Sequence, residues 1–98
     1  MRVDIQSVNF DADKKLENRI SAKVSKLTTF FDDINDASIN LHLNRSTTKE
    51  NKVAEVKILV KGSEMFSKKQ SNSFEESFDQ AYEAIKTQLI KYKEKVRD

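Results

Sequence analysis

Two stretches of this chain alternate strictly between apolar and polar residues. Ala37, Ile39, Leu41 and Leu43 are interleaved with Ser38, Asn40, His42 and Asn44, and Ala54, Val56, Ile58 and Val60 with Glu55, Lys57 and Lys61. Successive side chains of a strand point to opposite faces, so a period of two specifies a sheet with one apolar and one polar face. Such a sheet needs cover on one side only, which leaves its other face to solvent or a partner.

The cover is written in the flanking segments. After Asp11 and Asp13, both suitable helix caps, Leu16, Ile20, Val24, Leu27 and Phe31 recur every three or four residues and predict an amphipathic first helix. Ser73 followed by Glu76 has the spacing of a capping box. Phe74, Phe78, Ala81, Ile85, Leu89, Tyr92 and Val96 then mark the apolar stripe of a long second helix. Val3, Ile5 and Val8 predict a strand over 2–8. Asp32, Asp33, Ile34, Asn35 and Asp36 predict a turn, 45–51 a polar loop, and 64–69 a short fourth strand with Met65 and Ser67 inward and Lys68-Lys69 at its edge. The expected fold is α+β in the order β-α-β-β-β-α, a four-stranded sheet with both helices on one face, like a double-stranded-RNA-binding domain.

With 98 residues, one glycine (Gly62), no proline and no internal repeat, nothing reads as a linker, and 1–98 is expected to form a single domain. The absence of cysteine excludes disulfides and thiolate chemistry and suits a reducing compartment. The N-terminus is too polar for a signal peptide, and no apolar run approaches the roughly 20 residues of a membrane span. The expectation is a cytoplasmic protein with no membrane partner.

Enzymatic function is disfavoured. Acid-base and nucleophilic mechanisms need converging groups, and the chain has a single histidine, no cysteine and no serine in a recognisable elbow. His42 falls by parity on the open face and reads as an ordinary exposed side chain. One glycine cannot supply a phosphate-binding loop. Asp32, Asp33 and Asp36 lack the spacing of a cation loop and read as turn formers, so neither cofactor nor metal is expected.

The 18 Lys and Arg against 16 Asp and Glu give a net charge of only +2, so placement matters more than total. On a helical wheel Lys15, Arg19, Lys23 and Lys26 fall within about 80° beside the apolar face of helix 1. A solvated ridge whose lysine stems cover the core margin explains them as well as a binding role does. In helix 2, Glu75, Glu76, Asp79 and Glu83 precede Lys86, Lys91, Lys93, Lys95 and Arg97. Part of that gradient complements the helix dipole, but the dipole acts over the terminal turn and Lys86 lies well before it. Lys86, Lys93 and Arg97 share one flank, Lys91 and Lys95 the other, and Tyr92 between them continues the core stripe rather than offering a stacking platform.

The element order, the run Lys23-Val24-Ser25-Lys26-Leu27 leading to Phe30-Phe31-Asp32-Asp33-Ile34, the strand motif Ala54-Glu55-Val56, and Phe74, Phe78, Asp79 with Gln88 to Lys95 resemble the ribosome-hibernation-promoting factors. The resemblance covers the whole chain and is to the short members, without a C-terminal dimerisation domain. It implies a stress-response translation regulator that binds ribosomal RNA of the small subunit in the mRNA and tRNA channel. It further implies that Lys23, Lys26, Lys91, Lys93 and Lys95 contact phosphates; the wheel adds Arg19 and Lys86. Ala84 and Thr87 replace a Lys and an Arg usual in the family, Gln70 to Ser73 replace an acidic turn, and Lys69 replaces a small inward residue.

Two other readings compete. Val53, Leu59 and Phe66 point by parity to the open face and would suit a protein adaptor or a weak homo-oligomer. A double-stranded-RNA module shares the layout but reads RNA through a basic helix start, and helix 2 here begins acidic.

Overall fold

Alternation and helical period both materialise. The computed structural model describes residues 2–8, 10–29, 31, 33–46 and 49–96. Phe30, Asp32 and Arg97, and the side chain of Val96, lie outside what is described. The sheet has the order β1 (Arg2–Val8), β2 (Ile34–Leu43), β3 (Lys52–Val60), β4 (Ser63–Ser71), with α1 (Lys14–Ser25) between β1 and β2 and α2 (Phe74–Val96) after β4. β1 runs parallel to β2, which the α1 crossover permits, and the other pairs are antiparallel.

Register places Ile5 beside Ile39, Leu41 beside Ala54 and Val56 beside Ser67, so the inward sets of all four strands share one face. Both helices close over it. Ile20, Val24, Ile39, Leu41, Val56, Ile58, Phe78, Ile85 and Leu89 are fully or almost fully buried there. α2 lies over β3 and β4, and α1 packs less closely, with few contacts to either β1 or α2. Between β3 and β4 the chain reverses in two residues, and Gly62 takes φ +76°, a left-handed backbone that a side chain would strain.

The predicted caps are present, one of them altered. Asp13 Oδ1 accepts from the Leu16 N–H at 2.8 Å, and Ser73 Oγ from the Glu76 N–H at 3.1 Å. The Ser73 N–H, which the second half of a capping box would give to Glu76, goes instead to Ser71 Oγ at 3.4 Å. Ser71 also meets Ser77 Oγ at 2.7 Å, and Ser77 donates to the Lys52 carbonyl at 2.6 Å. This buried hydroxyl chain fixes the start of α2 to β3 and β4.

Four boundaries differ from expectation. β2 begins at Ile34, not after Asp36: Ile34 is buried opposite Val60, a bulge separates it from Asp36, and Asp36 pairs with Leu59. Burial and pairing there outweigh the turn preference of the acids. α1 stops at Ser25, and Lys26–Thr29 tighten into a 3-10 turn in which the Thr28 and Thr29 hydroxyls donate to the carbonyls of Ser25 and Lys26. Leu27 stays buried, so the stripe continues although the α-helix does not. β4 extends over nine residues, because it pairs along the whole of β3. Lys69 has inward parity yet is exposed, since β4 is an edge strand.

Val53 is a further correction. Its parity does put it on the open face, yet it is 1% exposed. Asn44 Nδ2 donates to Gln70 Oε1 across β3, the strand that carries Val53, and Gln70 Nε2 donates to the Glu50 carbonyl. Leu59 and Phe66, at 40% and 49%, are exposed as expected.

Because Phe78 is buried between α2 and the sheet, Phe78→Ala is expected to cost about 3–5 kcal/mol. Lys91→Ala, on the exposed side, should leave the denaturation midpoint almost unchanged. Urea unfolding of both variants checks this, and matching midpoints would place Phe78 outside the core.

Candidate nucleic-acid interface

Strand directions determine where the basic residues meet. β1, β2 and β4 point the same way, with β3 opposed. α1 returns from β1 and α2 returns from β4, so the two helices run side by side in the same sense. Cross-helix contacts confirm it: Arg19 Nη2 lies 2.7 Å and Lys23 Nζ 3.2 Å from the carboxylate of Asp79, and Lys23 Nζ sits 5.5 Å from the centre of the Tyr82 ring. Parallel helices bring their C-terminal ends together, and both ends are rich in lysine.

The ridge of α1 therefore borders a cleft facing α2. Arg19 and Lys23 are held there by Asp79. By helical spacing Lys26 and Lys86 follow one turn further along, and Lys93 two turns beyond Lys86 on the same flank of α2. Phe31 packs on Tyr92 at 5.6 Å between centroids, and the Tyr92 hydroxyl donates to the Lys61 carbonyl at 2.9 Å, so Tyr92 closes the core margin as expected. Lys91 and Lys95 fall on the opposite flank, the side on which Gln88 Nε2 donates to the Phe66 carbonyl of the β4 edge.

Past Leu89 no described residue of α2 is buried, and Lys91, Lys93 and Lys95 are all exposed on this last part of the helix. Their charges serve no core contact. Neither Lys26, Lys91 nor Lys95 makes an ion pair among the described residues.

Of the seven predicted residues, Arg19 and Lys23 meet α2 directly, Lys26, Lys86 and Lys93 fall by helical spacing on the facing flanks of the two helices, and Lys91 and Lys95 fall on the outer flank. Lys26 lies in the 3-10 turn rather than in the α-helix. What sequence reasoning missed is Asp79. It was visible only as one acid among several at the start of helix 2, and its partnership with α1 needs the packing. Burial alone would push its carboxyl up, but hydrogen bonds from Arg19 and Lys23, with their charges, outweigh this and hold it below the usual value of 3.8.

The open face is built differently. Asp4, Asp36, Glu55 and Glu64 are interspersed with Arg2, Lys57 and Lys68, and no basic stripe forms. His42 is not an isolated exposed side chain: it is half-buried, with Nε2 2.8 Å from Glu55 Oε2. Two shallow hollows of about 310 and 230 Å3 lie on this face, lined by residues such as Asp4, Ser38, Lys57 and Leu59, without a converging nucleophile, acid and base. Among the described residues no cluster of His, Asp and Glu could hold a metal ion, and no helix is long and apolar enough to cross a membrane.

Residues 3–97 match the family model described as sigma 54 modulation protein / S30EA ribosomal protein. A ribosome hibernation promoting factor of Klebsiella oxytoca is 27% identical over 97 residues, which cover 99% of this chain and 98% of that one. Among solved structures, a ribosomal subunit interface protein from Coxiella burnetii superposes with a TM-score of 0.84 at 22% identity, covering 95% of this chain and 98% of its own. The N-terminal domain of Thermus thermophilus Protein Y gives 0.81 at 17% identity, covering 94% and 99%.

Because its folded pKa is depressed, Asp79 contributes stability that is present above the unfolded carboxylate value and is lost as pH falls through the folded one. The melting-temperature gap between the wild-type protein and Asp79→Asn should be constant above about pH 5 and close progressively below about pH 4. Thermal melts followed by circular dichroism check this; a gap of the same size at every pH down to acid unfolding would show that Asp79 is not acting as a charged partner.

Proposed function

The chain belongs to the sigma 54 modulation protein / S30EA ribosomal protein family, and from that premise we propose that it binds the small ribosomal subunit and holds translation silent in starved or stationary cells. It is a binding protein, not an enzyme. The observation that carries the reading is the convergence of basic residues at the C-terminal ends of two parallel helices. Arg19, Lys23, Lys26, Lys86 and Lys93 border one cleft, and Lys91 and Lys95 extend the positive surface around the free end of α2. Ribosomal RNA presents closely spaced phosphates, and a polyanion responds to such a patch within about 8–10 Å at physiological salt whatever the net charge.

In this reading the lysines contact RNA phosphates in the channel that mRNA and tRNA occupy. The protein then acts by occupancy, and its place of action is the cytoplasm. The name of the Klebsiella oxytoca relative supports hibernation as the context. The chain beyond α1 also meets α2 through Phe31 and Tyr92, whose rings lie 5.6 Å apart between centroids.

A second reading rests on exposed Leu59 and Phe66, diagonal neighbours on the open face, which would suit a protein adaptor or a weak homo-oligomer. The two readings use opposite sides of the sheet, so they separate cleanly. Lys23→Glu/Lys26→Glu or Lys91→Glu/Lys93→Glu should abolish co-sedimentation with small subunits and relieve inhibition of translation in vitro, with circular dichroism unchanged. Leu59→Ser/Phe66→Ser should leave both intact. If about four phosphates are neutralised, affinity should fall roughly 50- to 150-fold between 50 and 200 mM salt. Salt-independent binding, or loss of binding only in the open-face variant, would overturn the RNA reading in favour of the adaptor.

A further inference from the structure

The cleft between the helices is not uniformly positive. Its first half pairs two cations with one acid: Asp79 takes a 2.7 Å bond from Arg19 and lies 3.2 Å from Lys23, and Glu83 follows one turn later on the same flank of α2. Two of its cations are therefore already engaged by a carboxylate before any RNA arrives.

We propose that Asp79 is an internal competitor for RNA phosphate, which occupies Arg19 and Lys23 and so weakens the hold of these two cations on the bound backbone. This rests on the RNA-binding reading above. A carboxylate and a phosphate oxygen seek the same guanidinium and ammonium donors. Asp79 reaches them without losing translational freedom, because α2 already holds it in place. A phosphate entering that half would have to displace Asp79 and then meet its repulsion at close range. The side chains of Arg19, Lys23 and Asp79 are 45%, 33% and 31% exposed, and bridges between groups as exposed as these contribute little to stability. A bridge so weak for folding still governs which cations an incoming anion can use. Asp79 thus acts through Arg19 and Lys23, whose contacts with RNA strengthen when it is removed.

The test is equilibrium binding of the full chain to purified small ribosomal subunits between about 50 and 200 mM salt, the range over which phosphate contacts weaken. Asp79→Asn, which keeps the shape and removes the charge, should bind more tightly at the low-salt end. Its loss of affinity across that salt range should grow about 3-fold for each cation released to phosphate. Asp79→Ser, as a second variant, should behave the same way. In an Arg19→Gln/Lys23→Gln background, Asp79→Asn should bring no such gain. Unchanged or weaker binding by both Asp79 variants, with native circular dichroism, would overturn the proposal and make Asp79 a structural tie. A gain that persists without Arg19 and Lys23 would overturn it too, since general charge would then be responsible. Wild-type binding that ignores salt removes the RNA reading itself, and the wild-type titration alone reveals that case.

Discussion

A sheet with only one apolar face is the constraint from which the rest of this molecule follows. Ile39, Leu41, Val56 and Ile58 cannot leave water unless something covers them, and the two amphipathic helices are what the chain has available. The parallel pairing of β1 with β2 and the two antiparallel pairs that follow then leave no choice of helix direction. Both helices return over the same face in the same sense. Their N-terminal ends meet at one edge of the molecule, and their C-terminal ends at the other.

Helix electrostatics turn that direction into a surface. Each helix favours acids at its start and bases at its end, as Glu17 and Lys23 in α1 and Glu75, Glu76, Lys93 and Lys95 in α2 illustrate. In antiparallel helices these preferences would offset one another across the cleft. In parallel helices they add, so a chain whose net charge is only +2 brings Lys23 and Lys26 of one helix to the same end as Lys91, Lys93 and Lys95 of the other. The open face departs from this pattern: its acids and bases alternate along the strands, and two of its groups, His42 and Glu55, are paired with each other.

Legibility followed the range of the interactions involved. Asp13 and Ser73 act through hydrogen bonds three residues away, so their caps could be read directly, as could the parity of Leu59 and Phe66. Where a distant partner intervened, local reading failed. Asp36 entered a strand because Ile34 is buried opposite Val60. Val53 lost its exposure where the side chains of Asn44 and Gln70 join across its strand. The Glu76 half of the capping box gave way to Ser71, a strand residue. Among the predicted phosphate contacts, all seven basic positions are on the helical side of the molecule, but nothing near Arg19 or Lys23 in sequence announced Asp79, sixty residues away from Arg19.

The sequence by itself determined the number and kind of elements, the face each one buries and the residues that carry positive charge, because each of these is written in spacings of two to four residues. Only the tertiary structure decided which charges meet. Whether Arg19 and Lys23 face open solvent or a carboxylate depends on the relative direction and offset of two helices separated by three strands. That geometry is set by strand pairing and by packing against Phe78 and Ile20, and no local pattern records it.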